Sequence, residues 1–179
     1  MIILIDGYNL MKSSAYFGEF HDLQKNRKRM IQDLSLYRKI RRHEIKLVFD
    51  AHLSGEIKAH TDQVGGVDVV FTKFKELADQ RIIELSRQYK EQAIVVTNDR
   101  EIIHFIELCG ATAIPSEVFE ERVQLTLRKS NEQPQVTQWR KPSEDEFKKD
   151  DTEAYSSKKG NPRRLPKKIK KYQSILEKL

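Results

Sequence analysis

The chain has a single cysteine, Cys109. That excludes an internal disulfide and a cysteine-based zinc cluster, and leaves Cys109 to pack as a small hydrophobe near the end of a helix. Long apolar runs are missing too. Nothing approaches the roughly 18–20 consecutive apolar residues of a membrane span. The N-terminal run Ile2–Ile5 lacks a basic leader and meets Asp6 at once, so it does not read as a secretory signal. No internal repeat or low-complexity tract interrupts the pattern. A soluble cytoplasmic protein with no membrane partner and no small-molecule cofactor is expected.

What is abundant is charge, 34% of residues against 38% hydrophobic, and it is unevenly placed. From Arg128 onward lie 15 of the 33 Lys+Arg and 8 of the 27 Asp+Glu, which leaves 18 against 19 before that point. A near-neutral domain over 1–127 is therefore followed by a basic tail over 128–179. Its stretch Ser130–Pro162 is too polar to build a core and reads as disordered. Near 166–179, Ile169, Tyr172, Ile175, Leu176 and Leu179 make one apolar stripe on a Lys-rich helix. Trp139 stands alone in the polar part as a contact residue. A basic tail of this kind suits a polyanionic partner, most simply nucleic acid.

The first domain is organised by its acids. Ile2–Asp6, Lys46–Asp50 and Ala93–Asp99 each run as an apolar strand into a carboxylate. Val67–Phe71 and Ala111–Ile114 complete about five strands, with Ala51–Gly66 as a polar excursion and Lys12–His21 as a loop. Helices are predicted from the cap Asp22 to about Arg42, from Glu76 through Tyr89, from Arg100 to Cys109 and from Ser116 to about Leu127. Alternating strands and helices specify an α/β fold with a central parallel sheet covered on both faces. In such sheets ligands bind beyond the carboxyl ends of the strands, where Asp6, Asp50 and Asp99 stand.

Asp79 adds a fourth acid, in the first turn of a helix, and Glu76 precedes it by three residues, a spacing that shares one side of a helical turn. Each acid has an ordinary alternative use as a helix cap or turn former. Gathered together, they repel: two carboxylates about 4 Å apart cost roughly 4 kcal/mol at an effective dielectric near 20, unless a cation joins them. Hard oxygen ligands suit Mg²⁺ or Mn²⁺ better than zinc. Carboxylate-held ions beside basic residues form a phosphodiester-cleaving arrangement. Lys73, Lys75, Arg81 and Arg100 are candidate phosphate-binding cations. Asn98 shares the strand-end stretch and is a substrate-binding candidate. Tyr8, Tyr16 and Phe17 are candidates to stack on bases, and His52 and His104 to shuttle protons.

Five motifs in order, IDGYN at Ile5–Asn9, VFDAH at Val48–His52, GGVDVVFT at Gly65–Thr72, ELAD at Glu76–Asp79 and VVTND at Val95–Asp99, resemble the YacP-like NYN ribonucleases, a branch of the PIN-like nucleases. The resemblance covers about Met1–Leu127. It implies a PIN-like three-layer fold in which the first strand and the Ala93–Val96 strand are neighbours. It assigns metal binding to Asp6, Asp79 and Asp99, ligand or phosphate orientation to Asn9, a fourth or outer acid to Glu76, and a substrate-side role to Asp50. It further implies an endoribonuclease with mRNA and the ribosome as partners; on single-stranded RNA, in-line attack by a metal-activated water would leave 3′-hydroxyl and 5′-phosphate ends. Some NYN relatives outside this branch carry another acid four residues after the last Asp. Here that position is Ile103, which disfavours a firmly held second ion. Two rivals stand beside this reading: a catalytically silent RNA- or ribosome-binding module, and a metal-dependent phosphatase for small substrates.

Overall fold

The computed structural model describes residues 1–18, 21–50, 59–73, 76–131 and 174–179. Strand β1 (Ile2–Asp6) lies inside the sheet with every residue buried. Helix α1 (Gly7–Ser13) follows without a linker, because Asp6 is both the last strand residue and the helix N-cap. Helix α2 (Leu23–Arg41) starts on Asp22, whose carboxylate accepts from the N–H groups of Gln24 and Lys25. It ends at Arg42, in the left-handed region with φ 58°. Then come β2 (Glu44–Phe49), β3 (His60–Val64), β4 (Val67–Phe71), α3 (Ala78–Tyr89), a 3₁₀ turn at Lys90–Gln92, β5 (Ala93–Val96), α4 (Arg100–Leu108), β6 (Thr112–Ile114) and α5 (Ser116–Asn131).

The six strands are ordered β3-β4-β2-β1-β5-β6. All neighbours are parallel except β3 and β4, which are antiparallel. β1 pairs with β2 on one side (Ile5 opposite Leu47) and with β5 on the other (Ile5 opposite Val96). The chain thus leaves β1 in one direction and returns on its far side. The boundary between β1 and β5 is the switch point at which open α/β sheets form a crevice.

Side-chain alternation divides the core. Ile2, Leu4, Val48, Val70, Ala93 and Val95 pack with Ala78, Ile82 and Leu85 of α3 and Ile102 and Ile106 of α4. The opposite face is covered by α1, α2 and α5, with Leu10, Met30, Leu34, Tyr37 and Phe119 fully buried. This is the three-layer α/β architecture expected from the sequence. Among the described residues, no helix is long and apolar enough to cross a membrane.

The structure corrects three local expectations. The polar excursion holds a sixth strand, β3, joined to β4 by Gly65 and Gly66. Both glycines have positive φ, 58° and 86°, the backbone a two-residue hairpin turn requires. Lys12 and Ser13, expected to open a loop, are the last residues of helix α1. The last helix continues to Asn131, past the expected end at Leu127. Of the tail, residues 174–178 are helical, and Leu179 is fully buried with its carbonyl accepting from the Tyr37 hydroxyl at 2.5 Å. The expectations for Trp139 and for the rest of 132–173 lie outside the described residues.

Candidate active site

Four elements deliver the acids to one place. Asp6 ends β1, and its Oδ1 accepts from the Asn9 N–H at 3.0 Å. Asp50 directly follows β2, and Asp79 occupies the first turn of α3. Asp99 caps α4, accepting from Glu101 N at 2.8 Å and from Ile102 N at 3.4 Å. Both Asp99 bonds fall on Oδ1, so one oxygen starts the helix while the other meets no donor among the described residues. The cap role and a ligand role are compatible within one carboxylate.

A hydrogen-bonded clasp holds the two sides of the crevice together. Asn9 Oδ1 accepts from the main-chain N–H of Asn98 at 3.1 Å and from Ser116 Oγ at 3.3 Å. Asn98 Oδ1 in turn accepts from Ser116 N at 3.0 Å, and its Nδ2 donates to Glu117 at 2.8 Å. Thr97 Oγ1 completes the turn by accepting from Asp99 N at 3.1 Å. The oxygen of Asn9 and both ends of the Asn98 amide are thereby engaged in fixing the loop that carries Asp99. Ser116, fully buried, is a member of this clasp that no motif marks. Its only signal in the sequence is the Pro-Ser pair opening the last helix.

Asp6, Asp50, Asp79 and Asp99 line one cavity of about 210 Å³ with Tyr8, Asn9, Lys12, Leu77 and Ala78. Among the described residues, Lys12 is the one cation lining it. Burial raises the Asp6 carboxyl to about 6, with the charges of Asp79 and Asp50 adding to the shift and the Asn9 N–H opposing it. Asp79 is raised as well, first by burial and then by Asp99, Asp50 and Glu101. The cavity therefore disfavours its own negative charge and favours an incoming cation.

The donor set fits a hard divalent ion, since among the described residues every candidate ligand lining the cavity is a carboxylate and none is a histidine or cysteine. Among the described residues, no three His, Cys, Asp or Glu side chains stand close enough to enclose an ion by themselves.

Other candidates lie elsewhere. The three-residue spacing predicts that Glu76 shares a helical turn with Asp79, but α3 begins at Ala78 and Glu76 precedes its cap, Leu77. The spacing rule holds only inside a helix, so it does not bring these two carboxylates together. Glu76 instead accepts from Lys73 N at 3.4 Å, and it lines a separate cavity of about 570 Å³ with Lys73 and Arg81. Arg100 is exposed and is not among the residues lining the aspartate cavity. Lys75 and His52 lie outside the described residues. Base stacking on Tyr8 or Phe17 has no exposed ring to use. Tyr8 is 8% exposed and packs edge-on against Phe49 at 5.1 Å, and Phe17 is fully buried against Tyr16. His104 is an exposed helix residue set edge-on to Phe105.

A doubly wound sheet with four aspartates around one cavity beyond the carboxyl ends of its strands is an α/β domain whose matching family is of nuclease type. The family model of the YacP-like NYN domain matches residues 3–159, and the chain belongs to that family. Over 107 residues it is 35% identical to the uncharacterized protein YacP of Bacillus subtilis (strain 168), a match spanning 55% of this chain and 60% of the relative. The matched region is thus less than two thirds of that relative's length. Its fold is similar to the crystal structure of Rae1 (YacP) from Bacillus subtilis. The TM-score is 0.63 for a point mutant of Rae1 and 0.59 for a second structure of Rae1, each at 27% identity over 73% of this chain. The match takes in 79% and 78% of those two chains, respectively.

Proposed function

We infer that the chain is a metal-dependent endoribonuclease that cuts single-stranded RNA, with mRNA at the ribosome as the target its family resemblance suggests. The observation that carries this reading is the convergence of Asp6, Asp50, Asp79 and Asp99, from four separate elements, on one cavity at the carboxyl end of the sheet.

In this reading Asp6, Asp79 and Asp99 are the residues that would hold the ion, directly or through its bound waters. Mg²⁺ or Mn²⁺ bound there supplies a nucleophilic water of lowered pKa and neutralises charge at the phosphate. The chain's own part is positional. The Asn9–Asn98–Ser116 clasp keeps Asp99 across the crevice from Asp6, and the helix caps on Asp6 and Asp99 fix both carboxylates. Lys12 offsets part of the negative charge that an RNA phosphate meets on entry.

The open spacing of the acids favours a second reading, a PIN-like RNA- or ribosome-binding module without cleavage. One experiment separates them. Purified protein is incubated with end-labelled single-stranded RNA, with and without Mn²⁺ and with and without translating ribosomes, and the product ends are mapped. The nuclease reading requires internal cuts leaving 5′-phosphates, lost in Asp79→Ala while RNA binding persists. Intact RNA under every condition, with binding kept, establishes the module.

A further inference from the structure

Arg27 is a cation placed among rings. It sits on α2 at 9% exposure, its guanidinium carbon 4.9 Å from the ring centre of Phe49, 5.4 Å from Phe71 and 5.9 Å from Tyr8. Among the described residues no carboxylate pairs with it, and its buried Nε has no hydrogen-bond partner. Burying an unpaired charge is costly, and aromatic faces recover only part of the loss. Its polar contact is the bond from Nη2 to the Tyr8 hydroxyl oxygen at 2.6 Å.

The direction of that bond decides what Tyr8 can do. Arginine has donors only, so the phenol oxygen accepts from Arg27 and its own proton must point elsewhere. Among the described residues nothing accepts that proton. Tyr8 is one of the side chains lining the aspartate cavity. A second lysine there would pair with the carboxylates themselves. A neutral hydroxyl polarised by a buried cation does not compete in that way, and it can still donate to an anion. Phe49 fixes the arrangement from both sides, touching the Tyr8 ring edge-on and lying under the guanidinium.

We propose that Tyr8 donates its phenol hydrogen bond to a phosphate oxygen of single-stranded RNA at the aspartate cavity, with Arg27 as the positioning residue that aims it. The ligand rests on the nuclease reading above, whereas the geometry does not. A hydrogen bond to a charged phosphate corresponds to roughly a 10- to 100-fold effect.

The test is a double-mutant cycle on the full chain with two readouts. Cleavage of labelled single-stranded RNA in Mn²⁺ gives kcat and KM, and fluorescence anisotropy of the same RNA with Ca²⁺ in place of Mn²⁺ gives affinity. Thermal melting checks the fold. Tyr8→Phe keeps the ring and its packing, so a melting temperature near wild type is expected, with kcat/KM down at least 10-fold and affinity down severalfold. In the Arg27→Met background the Tyr8→Phe change should add little, because the relay is already broken. Wild-type affinity and cleavage in Tyr8→Phe overturn the proposal and leave the nuclease reading intact. If wild type binds RNA but cuts none, the nuclease reading fails and the affinity arm alone decides for or against Tyr8. No binding and no cutting by wild type overturns both. If Arg27→Met does not fold, Tyr8→Phe decides the question alone.

Discussion

The side-chain oxygen of Asn9 accepts a hydrogen bond from the main-chain N–H of Asn98 at 3.1 Å, joining positions 89 residues apart. Asn9 belongs to the helix that Asp6 caps, and Asn98 immediately precedes Asp99. One amide therefore links the two acids that flank the switch point. Through Ser116 Oγ it also ties in the start of α5.

Asn9→Ala removes the acceptor for both bonds and leaves the Asn98 N–H without its partner. Because that bond to Asn98 is exposed and water can replace it, a loss of about 0.5–1.5 kcal/mol in folding stability is expected from urea denaturation. RNA cleavage should fall by more than that destabilisation explains at a temperature where the variant is fully folded. Ser116→Ala gives up only the longer bond and should cost about 1 kcal/mol or less.

Asp6→Asn separates function from stability. The substitution keeps an oxygen that can accept from Asn9 N, so the cap on α1 survives. Because the folded carboxyl holds its proton more tightly than the unfolded one, this group is least costly below about pH 4. Its contribution worsens as pH rises and reaches its full penalty above about pH 6. The shift corresponds to an order of 2–3 kcal/mol at neutral pH. Asp6→Asn should therefore be more stable than wild type at pH 7.5 and equal to it near pH 4, by denaturant titration without divalent ions. Cleavage should be absent. A variant less stable than wild type at pH 7.5 would contradict the assigned burial of a charged Asp6.

Gly7→Ala tests the packing beneath the site. Gly7 has no need of positive φ; a Cβ there would run into the Phe49 ring. Displacing Phe49 disturbs the rings of Tyr8 and Phe71 and the guanidinium of Arg27 together. Overpacking of this kind costs typically about 1–3 kcal/mol. The melting temperature should drop, and RNA affinity should drop with it.

Much of this organisation is legible in the chain because strands and acids coincide. IILID, KLVFD and AIVVTND are apolar runs with one turn-compatible acid at the end, a pattern that sets both the strand and its exit. β3 is hidden because HTDQV is an exposed edge, where pairing with β4 rather than burial makes the strand. Helix α1 is hidden because its N-cap is itself the last residue of β1. The spacing of Glu76 and Asp79 misleads because the helix begins only at Ala78, two residues after Glu76. Arg27 looks like one more charge on a basic helix. Only the fold shows that it faces Phe49, Phe71 and Tyr8.

The central claim is that Asp6, Asp79 and Asp99 act together on a divalent ion. Mn²⁺ titration of the full chain at pH 7.5, followed by the loss of free-ion electron paramagnetic resonance signal, tests it most directly. The account requires saturable binding that Mg²⁺ displaces and that Asp6→Asn, Asp79→Asn and Asp99→Asn each abolish. Binding that survives all three substitutions, or no binding by wild type, would contradict it.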